Sequence, residues 1–171
     1  MDSNSVKMLI HNYVISRLDY CNSLFMNLPK DEIFKLQKLQ NSAAKLVLGM
    51  RKRDSATLAL TKLHWLNVKS RVAFKVILLV FKMLTGKCPP TVELRYKETS
   101  ERSSDLLLLE TKMFHSKYGK RLFQYNGPRL WNALPVEIRM TTNIETFKSS
   151  LKTYLFSNYD LLMRNVNKYY T

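Results

Sequence analysis

The chain has 171 residues, of which 46% are hydrophobic, and it carries a formal net charge of +15. This hydrophobic content can bury a real core and excludes wholesale disorder, while the length indicates one domain or one domain with a small appendage. So large an excess of positive charge predicts a polyanionic partner, either nucleic acid or, less often, an acidic membrane surface.

Hydrophobic periodicity predicts four long helices, at residues 6–28, 31–48, 68–85 and 143–156. A shorter helix is predicted from Asp54 or Ser55 to Lys62, capped by one of the first two side chains. Asn67 fits the cap of the third long helix, and the segment from Thr142 to Glu145 fits a capping box before the fourth. The predicted fold class is therefore mainly α.

The core face predicted for the second long helix consists of Ile33, Leu36, Leu39, Ala43, Leu46 and Val47. Lys35, Lys38 and Lys45 fall on the other side of this helix, and Gly49 is expected to end it. The first long helix should end at Pro29, because proline disrupts a helix interior.

A polar segment that contains proline and serine divides the sequence into three predicted parts, at residues 1–88, 89–105 and 106–171. The first part is a helical bundle, the second a linker, and the third a smaller α-rich extension. A β-hairpin around a Thr-Lys turn is predicted near residues 106–117. From Tyr118 to Leu134 we expect a helix interrupted at Gly127 and Pro128.

Positive charge concentrates between Lys45 and Lys87, where ten cations face a single acid, Asp54. Six of these cations form the predicted phosphate-binding surface: Arg51, Lys52, Arg53, Arg71, Lys75 and Lys82. The first three are consecutive, and the last three share one stripe of the 68–85 helix because they are four and seven residues apart. The alternative for the consecutive triplet is an ordinary solvated loop.

No cluster of residues in the sequence predicts catalysis, so we expect no catalytic residues, metal site or cofactor. Polymerases and nucleases need grouped carboxylates to hold divalent ions, yet the only adjacent acids are Asp31 and Glu32 at a helix start. Asp19 is expected to be a surface acid or a partner of Arg17. His64 is expected to be a capping or packing residue. We therefore expect neither polymerase nor nuclease activity with Mg²⁺.

The cysteines and the apolar segments limit the cellular context. Cys21 and Cys88 form no Cys-x-x-Cys motif, which excludes a zinc knuckle and argues against a disulfide scaffold. The longest purely apolar run, "VILLVF", is far too short to span a bilayer, and the N-terminus lacks the features of a signal peptide. We therefore expect an intracellular, soluble protein.

Four segments together resemble one known family: "VISRLDYCNSLFMNLP", "LQKLQNSAAKLVLGMRKRD", "LTKLHWLNVKSRVAFKVILLVFKMLTGKCPP" and "KYGKRLFQYNGPRLWNALPVEIRMTTNIETFKSSLKTYLF". They are similar, in the same order, to the C-terminal region of reverse transcriptases from non-LTR (LINE-type) retrotransposons, such as the chicken-repeat and jockey-like groups. Asn67 departs from the family pattern, in which proline is common at this position. Residues 157–171 carry no family signal.

The resemblance implies a helical thumb followed by a C-terminal extension, without the palm and its paired aspartates and without the endonuclease of the parent polymerase. It implies RNA and DNA as partners, bound through the phosphates of a template–primer duplex, together with the palm. It also implies a retrotransposon ribonucleoprotein in the nucleus and cytoplasm. Neither a membrane nor a small-molecule substrate is expected. A truncated element copy fits this description, and the alternative is a basic helical protein-interaction module, as in a host-adopted remnant.

Overall fold

The computed structural model describes residues 3–89, 92–97, 107–116 and 118–168. These residues are mainly helical, which confirms the predicted mainly-α class. The helices are α1 (Ser3–Ile10), α2 (Ser16–Asp19), α3 (Lys30–Val47), α4 (Ala56–Lys62), α5 (Val68–Leu84), α6 (Phe123–Asn132), α7 (Val136–Arg139) and α8 (Ile144–Lys168).

The chain packs as two compact units, Met1–Val72 and Ala73–Thr171. The division between these units falls inside α5, whereas the sequence placed a linker after residue 88. The predicted linker at 89–105 lies partly outside the described residues, and the functional division at this linker stays a prediction.

The first unit begins with a helical run that ends earlier than predicted. A π-helical segment, His11–Ile15, joins α1 to α2, and the run stops at Tyr20, whose backbone is extended, and Cys21, whose φ is +47°. A 3-10 segment, Asn22–Phe25, follows. The prediction of one helix to residue 28 is therefore wrong at its end. The 3-10 segment repeats every three residues, so the helix-like periodicity continued through the break.

Helix α3 matches its predicted bounds within one residue, and Gly49 ends it as expected. Gly49 has a φ of +61°, a conformation that favours glycine because it has no Cβ. Its N–H donates to the Leu46 carbonyl, and the Met50 N–H donates to the Lys45 carbonyl at 2.9 Å. This pair of bonds is a Schellman motif, which satisfies the last carbonyls of the helix and turns the chain away from its axis.

Helix α4 also forms where it was predicted, with Ser55 as its N-cap. The Ser55 hydroxyl accepts a hydrogen bond from the Leu58 N–H at 3.3 Å. At the other end, the His64 N–H donates to Thr61 and the Trp65 N–H donates to Leu60, which is a second Schellman motif. His64 occupies the left-handed position of this motif with a φ of +51°. His64 therefore ends a helix, in agreement with its predicted capping role.

Replacement of His64 with glycine is expected to stabilise the chain by about 0.5–1 kcal/mol, because glycine adopts a positive φ without the steric cost of a Cβ. Urea unfolding followed by circular dichroism measures the change. A matched substitution, Gly49→Ala, should have the opposite sign. Equal or lower stability of His64→Gly would show that the imidazole makes a compensating contact.

Side chains of α3 hold the beginning of α5 in place. The Gln37 carbonyl oxygen accepts from the Val68 N–H at 2.8 Å, and the Gln40 amide, which is 0% exposed, donates to the Leu66 carbonyl at 2.9 Å. The predicted cap is also present, because the Asn67 side chain accepts from the Ser70 N–H at 2.8 Å. These bonds lie within the first unit and fix the loop before α5 against α3.

In the second unit, α6 runs through the predicted interruption. Its start follows a break at Leu122, after a 3-10 turn at Gly119–Arg121, and Pro128 lies inside the helix. A Cβ on Gly127 would come within 3.1 Å of a Val80 methyl carbon. Gly127 therefore permits close packing of α6 against α5, and the expectation of a break at Gly127–Pro128 is wrong.

Helix α8 begins where the fourth long helix was predicted but extends further, with a non-helical residue at Asn158. The Asn143 side chain caps it by accepting from the N–H groups of Glu145 at 2.8 Å and Thr146 at 3.2 Å. The predicted capping box is therefore wrong in its N-cap residue, which is Asn143 rather than Thr142.

The predicted hairpin is replaced by a different pairing. No strand is present in the described residues 107–116, and the pairing seen there is an isolated antiparallel bridge between Tyr96 and Leu109. The hairpin prediction is therefore wrong within these residues, while residues 106 and 117 lie outside the described part. The apolar segment therefore pairs with an earlier residue, Tyr96, instead of with its own second half.

Side chains of helix α6 anchor this segment through hydrogen bonds to its backbone. The Asn132 side chain accepts from the Leu109 N–H and donates to the Leu109 carbonyl, each at 2.8 Å. The Trp131 indole N–H donates to the Leu107 carbonyl at 2.8 Å. Because Leu109 is fully buried, the Asn132 side chain satisfies two polar groups that water does not reach.

Substitution of Asn132 with leucine is expected to destabilise the chain by about 2–4 kcal/mol, because two buried backbone groups of Leu109 lose their partner. Asn12→Leu, at an exposed site in the first unit, is the matched control and should change stability by roughly 0.5 kcal/mol or less. Urea unfolding measures both variants. Similar losses in the two would contradict the anchoring role of Asn132.

Candidate nucleic-acid interface

The consecutive cations lie on a short turn that we name the cationic loop, residues 51–54. The Arg51 N–H donates to a carboxylate oxygen of Asp54 at 2.7 Å, and the Asp54 N–H donates to the Arg51 carbonyl at 3.0 Å. The Schellman motif at Gly49 precedes the loop and the Ser55 cap follows it. The loop is therefore held at both ends by helix termini and closed by its own acid.

The side chains of the cationic loop point into solvent. Arg51, Lys52 and Arg53 are all exposed, and among the described residues none of them forms a salt bridge within the chain. Asp54, the acid beside them, bonds to a backbone N–H of the loop. The loop thus presents a net positive charge of +2 to solvent, which favours the binding of phosphates.

Lys45 ties the cationic loop to the end of α3. Its ammonium group donates to the Lys52 carbonyl at 2.8 Å. This bond adds a cation to the base of the loop and restrains the loop backbone. The helical periodicity places Lys45 on the basic side of the helix but carries no signal for this contact, which joins positions seven residues apart across a turn.

The solvent face of α3 combines positive and apolar side chains. The Lys38 ammonium lies 4.5 Å from the centre of the exposed Phe34 ring, and Lys35 pairs with Glu32 at 2.9 Å. Leu39 and Leu46 are 49% and 61% exposed, so their predicted place on the core face is wrong. They lie at the margin of the apolar arc, where a small rotation of the helix moves a side chain from core to solvent.

Arg71 lies in the first unit but is not an exposed cation. Its guanidinium makes two hydrogen bonds to the Asp19 carboxylate, one of them 2.9 Å from Nη2 to Oδ2. The side chains of Arg71 and Asp19 are only 18% and 21% exposed. The sequence places almost no acid near Arg71, but the fold brings Asp19 to its guanidinium, so Asp19 pairs with Arg71 rather than Arg17. These residues are far apart in sequence, so local spacing did not reveal the pair.

The remaining two predicted residues belong to the second unit. Lys75 is exposed on α5, whereas Lys82 is half-buried in the last turn of the same helix. The structure therefore brings Arg51, Lys52 and Arg53 together on one loop. A common surface that also includes Lys75 and Lys82 stays a prediction.

Two other kinds of functional feature, metal-binding clusters and membrane-spanning helices, were sought in the described residues. Across 3–89, 92–97, 107–116 and 118–168, no group of three or more His, Cys, Asp or Glu side chains is arranged to hold a metal ion. Within the same residues, no helix has the length and apolar content needed to cross a membrane.

Comparison of the chain with models of protein families, with curated proteins and with solved structures found no match. The resemblance to retrotransposon reverse transcriptases therefore rests on the sequence segments alone.

Proposed function

We propose that this chain is a nucleic-acid-binding part of a retrotransposon RNA-directed DNA polymerase, in which the cationic loop binds phosphates of the template–primer duplex. The observation that carries the proposal is the set of three exposed, consecutive cations that make no salt bridge within the described chain. The net charge of +15 acts in the same direction by attracting a polyanion.

Contacts of this kind predict affinity without sequence preference. Arginine and lysine bind phosphate oxygens, which are the same for every base, and the cationic loop is a short turn rather than an element shaped to enter a groove. The catalytic palm would be supplied by the parent polymerase. Arg71 has no direct phosphate role in this proposal, because Asp19 already occupies its guanidinium.

Binding of the purified chain to fluorescent duplexes of unrelated sequence tests the proposal. We expect RNA–DNA hybrids of different base sequence to bind with affinities within a few-fold of one another, and fluorescence anisotropy measures this directly. A strong preference for one sequence, or the absence of binding at low salt, would overturn the proposal.

A protein-interaction module is the second candidate function, and exposed large apolar side chains favour it. Met8, Tyr13 and Leu24 are each 67% exposed, and Tyr20 is 79% exposed. Contiguous patches of exposed apolar side chains are typical of surfaces that a protein partner covers. Substitution of the cationic loop separates the two candidates, since nucleic-acid binding through the loop requires its charges and a purely apolar contact does not.

A further inference from the structure

Ser55 differs from the other serines and threonines of the chain in the charges that precede it. Arg53 and Lys52 lie two and three residues before it, and Arg51 lies four before it. No other serine or threonine in the sequence has a cation at both of the positions two and three residues earlier. Charge patterns of this kind determine which substrates a kinase accepts. Kinases with acid-lined substrate clefts select serines that follow basic residues in this way.

The conformation of the cationic loop leaves Ser55 and the basic residues before it accessible to a kinase. Arg51 to Ser55 are all exposed, and Ser55 has an extended backbone, with φ −64° and ψ 120°. Its hydroxyl oxygen makes one long hydrogen bond, 3.3 Å, with the Leu58 N–H. Only the first turn of α4 would have to open for an extended substrate segment to form, and so short a helix has little stability of its own.

We propose that Ser55 is a phosphorylation site for a serine/threonine kinase that selects basic residues, and that its phosphorylation weakens nucleic-acid binding by the cationic loop. In this step the Ser55 Oγ forms a bond to the γ-phosphorus of ATP. The bond from that phosphorus to the β,γ-bridging oxygen breaks, ADP leaves, and the hydroxyl proton passes to the kinase base and then to solvent.

Phosphorylation of Ser55 would weaken nucleic-acid binding because it would change the net charge of the cationic loop. A phosphoserine carries about −1.5 to −2 at neutral pH. Arg51, Lys52 and Arg53 together with Asp54 have a formal charge of +2, which the new group nearly cancels. The phosphate oxygens would also accept hydrogen bonds from the neighbouring guanidinium and ammonium groups. These cations would then be engaged within the chain. This second part of the proposal rests on the proposed function.

The site itself is tested by a mass measurement. The full chain and the Ser55→Ala variant are incubated with ATP and cyclic-AMP-dependent protein kinase, and the products are examined by intact mass and peptide mapping. We expect one phosphoryl group on Ser55 of the unaltered chain and at least 10-fold slower incorporation in Ser55→Ala. Equal incorporation, or none in either chain, would overturn the site. Arg53→Gln, which keeps the serine and its cap, should also slow the reaction.

The effect on binding is tested separately on the phosphorylated full chain. We expect its affinity for a short RNA–DNA duplex to be on the order of 10- to 100-fold lower than that of the unmodified chain. Unchanged affinity after phosphorylation would overturn the switch. The variant in which Arg51, Lys52 and Arg53 are all glutamine identifies what failed. If it binds weakly, the proposed function stands and only the switch is wrong, and if it binds normally, the proposed function fails as well.

Discussion

Replacement of Phe147 with alanine is expected to lower the free energy of unfolding by about 3–5 kcal/mol. Phe147 is 0% exposed, and its ring stacks on Phe81 with 4.1 Å between centroids. The Trp131 ring lies 6.0 Å away on the same aromatic cluster. Removal of the ring loses its burial and its aromatic contacts and leaves a cavity that the surrounding helices fill only in part.

Phe156→Ala is the matched control for this substitution, because Phe156 lies on the same helix and is 42% exposed. The control should cost about 1 kcal/mol or less, since most surface substitutions have small effects. Urea unfolding, followed by tryptophan fluorescence and circular dichroism, measures both variants. Equal destabilisation by the two substitutions would contradict the assignment of Phe147 to the centre of the second unit.

The triple substitution of Arg51, Lys52 and Arg53 with glutamine is expected to lower affinity for an RNA–DNA duplex by on the order of 100-fold at about 0.15 M salt. Each phosphate contact contributes roughly 0.9 to the slope of log K against log salt. Loss of three contacts therefore removes about two orders of magnitude of affinity at this salt concentration. The loss should be the same for unrelated sequences, because phosphates do not distinguish bases.

A control with the same change in net charge separates a local site from general attraction. Lys97, Lys112 and Lys152 are exposed cations of the second unit, and their joint substitution with glutamine also removes three positive charges. We expect this control to weaken binding only a few-fold. Circular dichroism should show unchanged helix content in both variants. Equal losses in the two triple variants would mean that net charge, rather than the cationic loop, determines affinity.

Features determined by neighbouring residues were predictable from the sequence. The bounds of α3, α4 and α5 depend on residues within one turn of each helix end, such as Gly49, Ser55 and Asn67, and these predictions are confirmed within one residue. The exposed cationic loop follows from the same local signals, because a helix stop and a helix cap surround it. Local chemistry was therefore enough to predict the bounds of these three helices and the exposure of the triplet.

Features that depend on contacts between distant residues were not predictable. The Arg71–Asp19 pair joins positions 52 residues apart, and the bonds from Asn132 to Leu109 join positions 23 residues apart. In each pair, the residues around one partner give no indication of which distant residue it will contact. The hairpin prediction failed for the same reason. The segment around Leu109 has the composition of a strand, but Leu109 pairs with Tyr96 and is bonded by Asn132, both of which are distant in sequence.

The salt dependence of duplex binding tests the central claim most directly. If the unaltered chain engages about three to five phosphates, log K should fall with log salt at a slope of roughly −3 to −5. The Arg51, Lys52 and Arg53 triple-glutamine variant should show a slope flatter by about 2 to 3, since each lost contact reduces it by about 1. The same slope in both proteins would contradict a phosphate-binding role and would make the triplet an ordinary solvated loop.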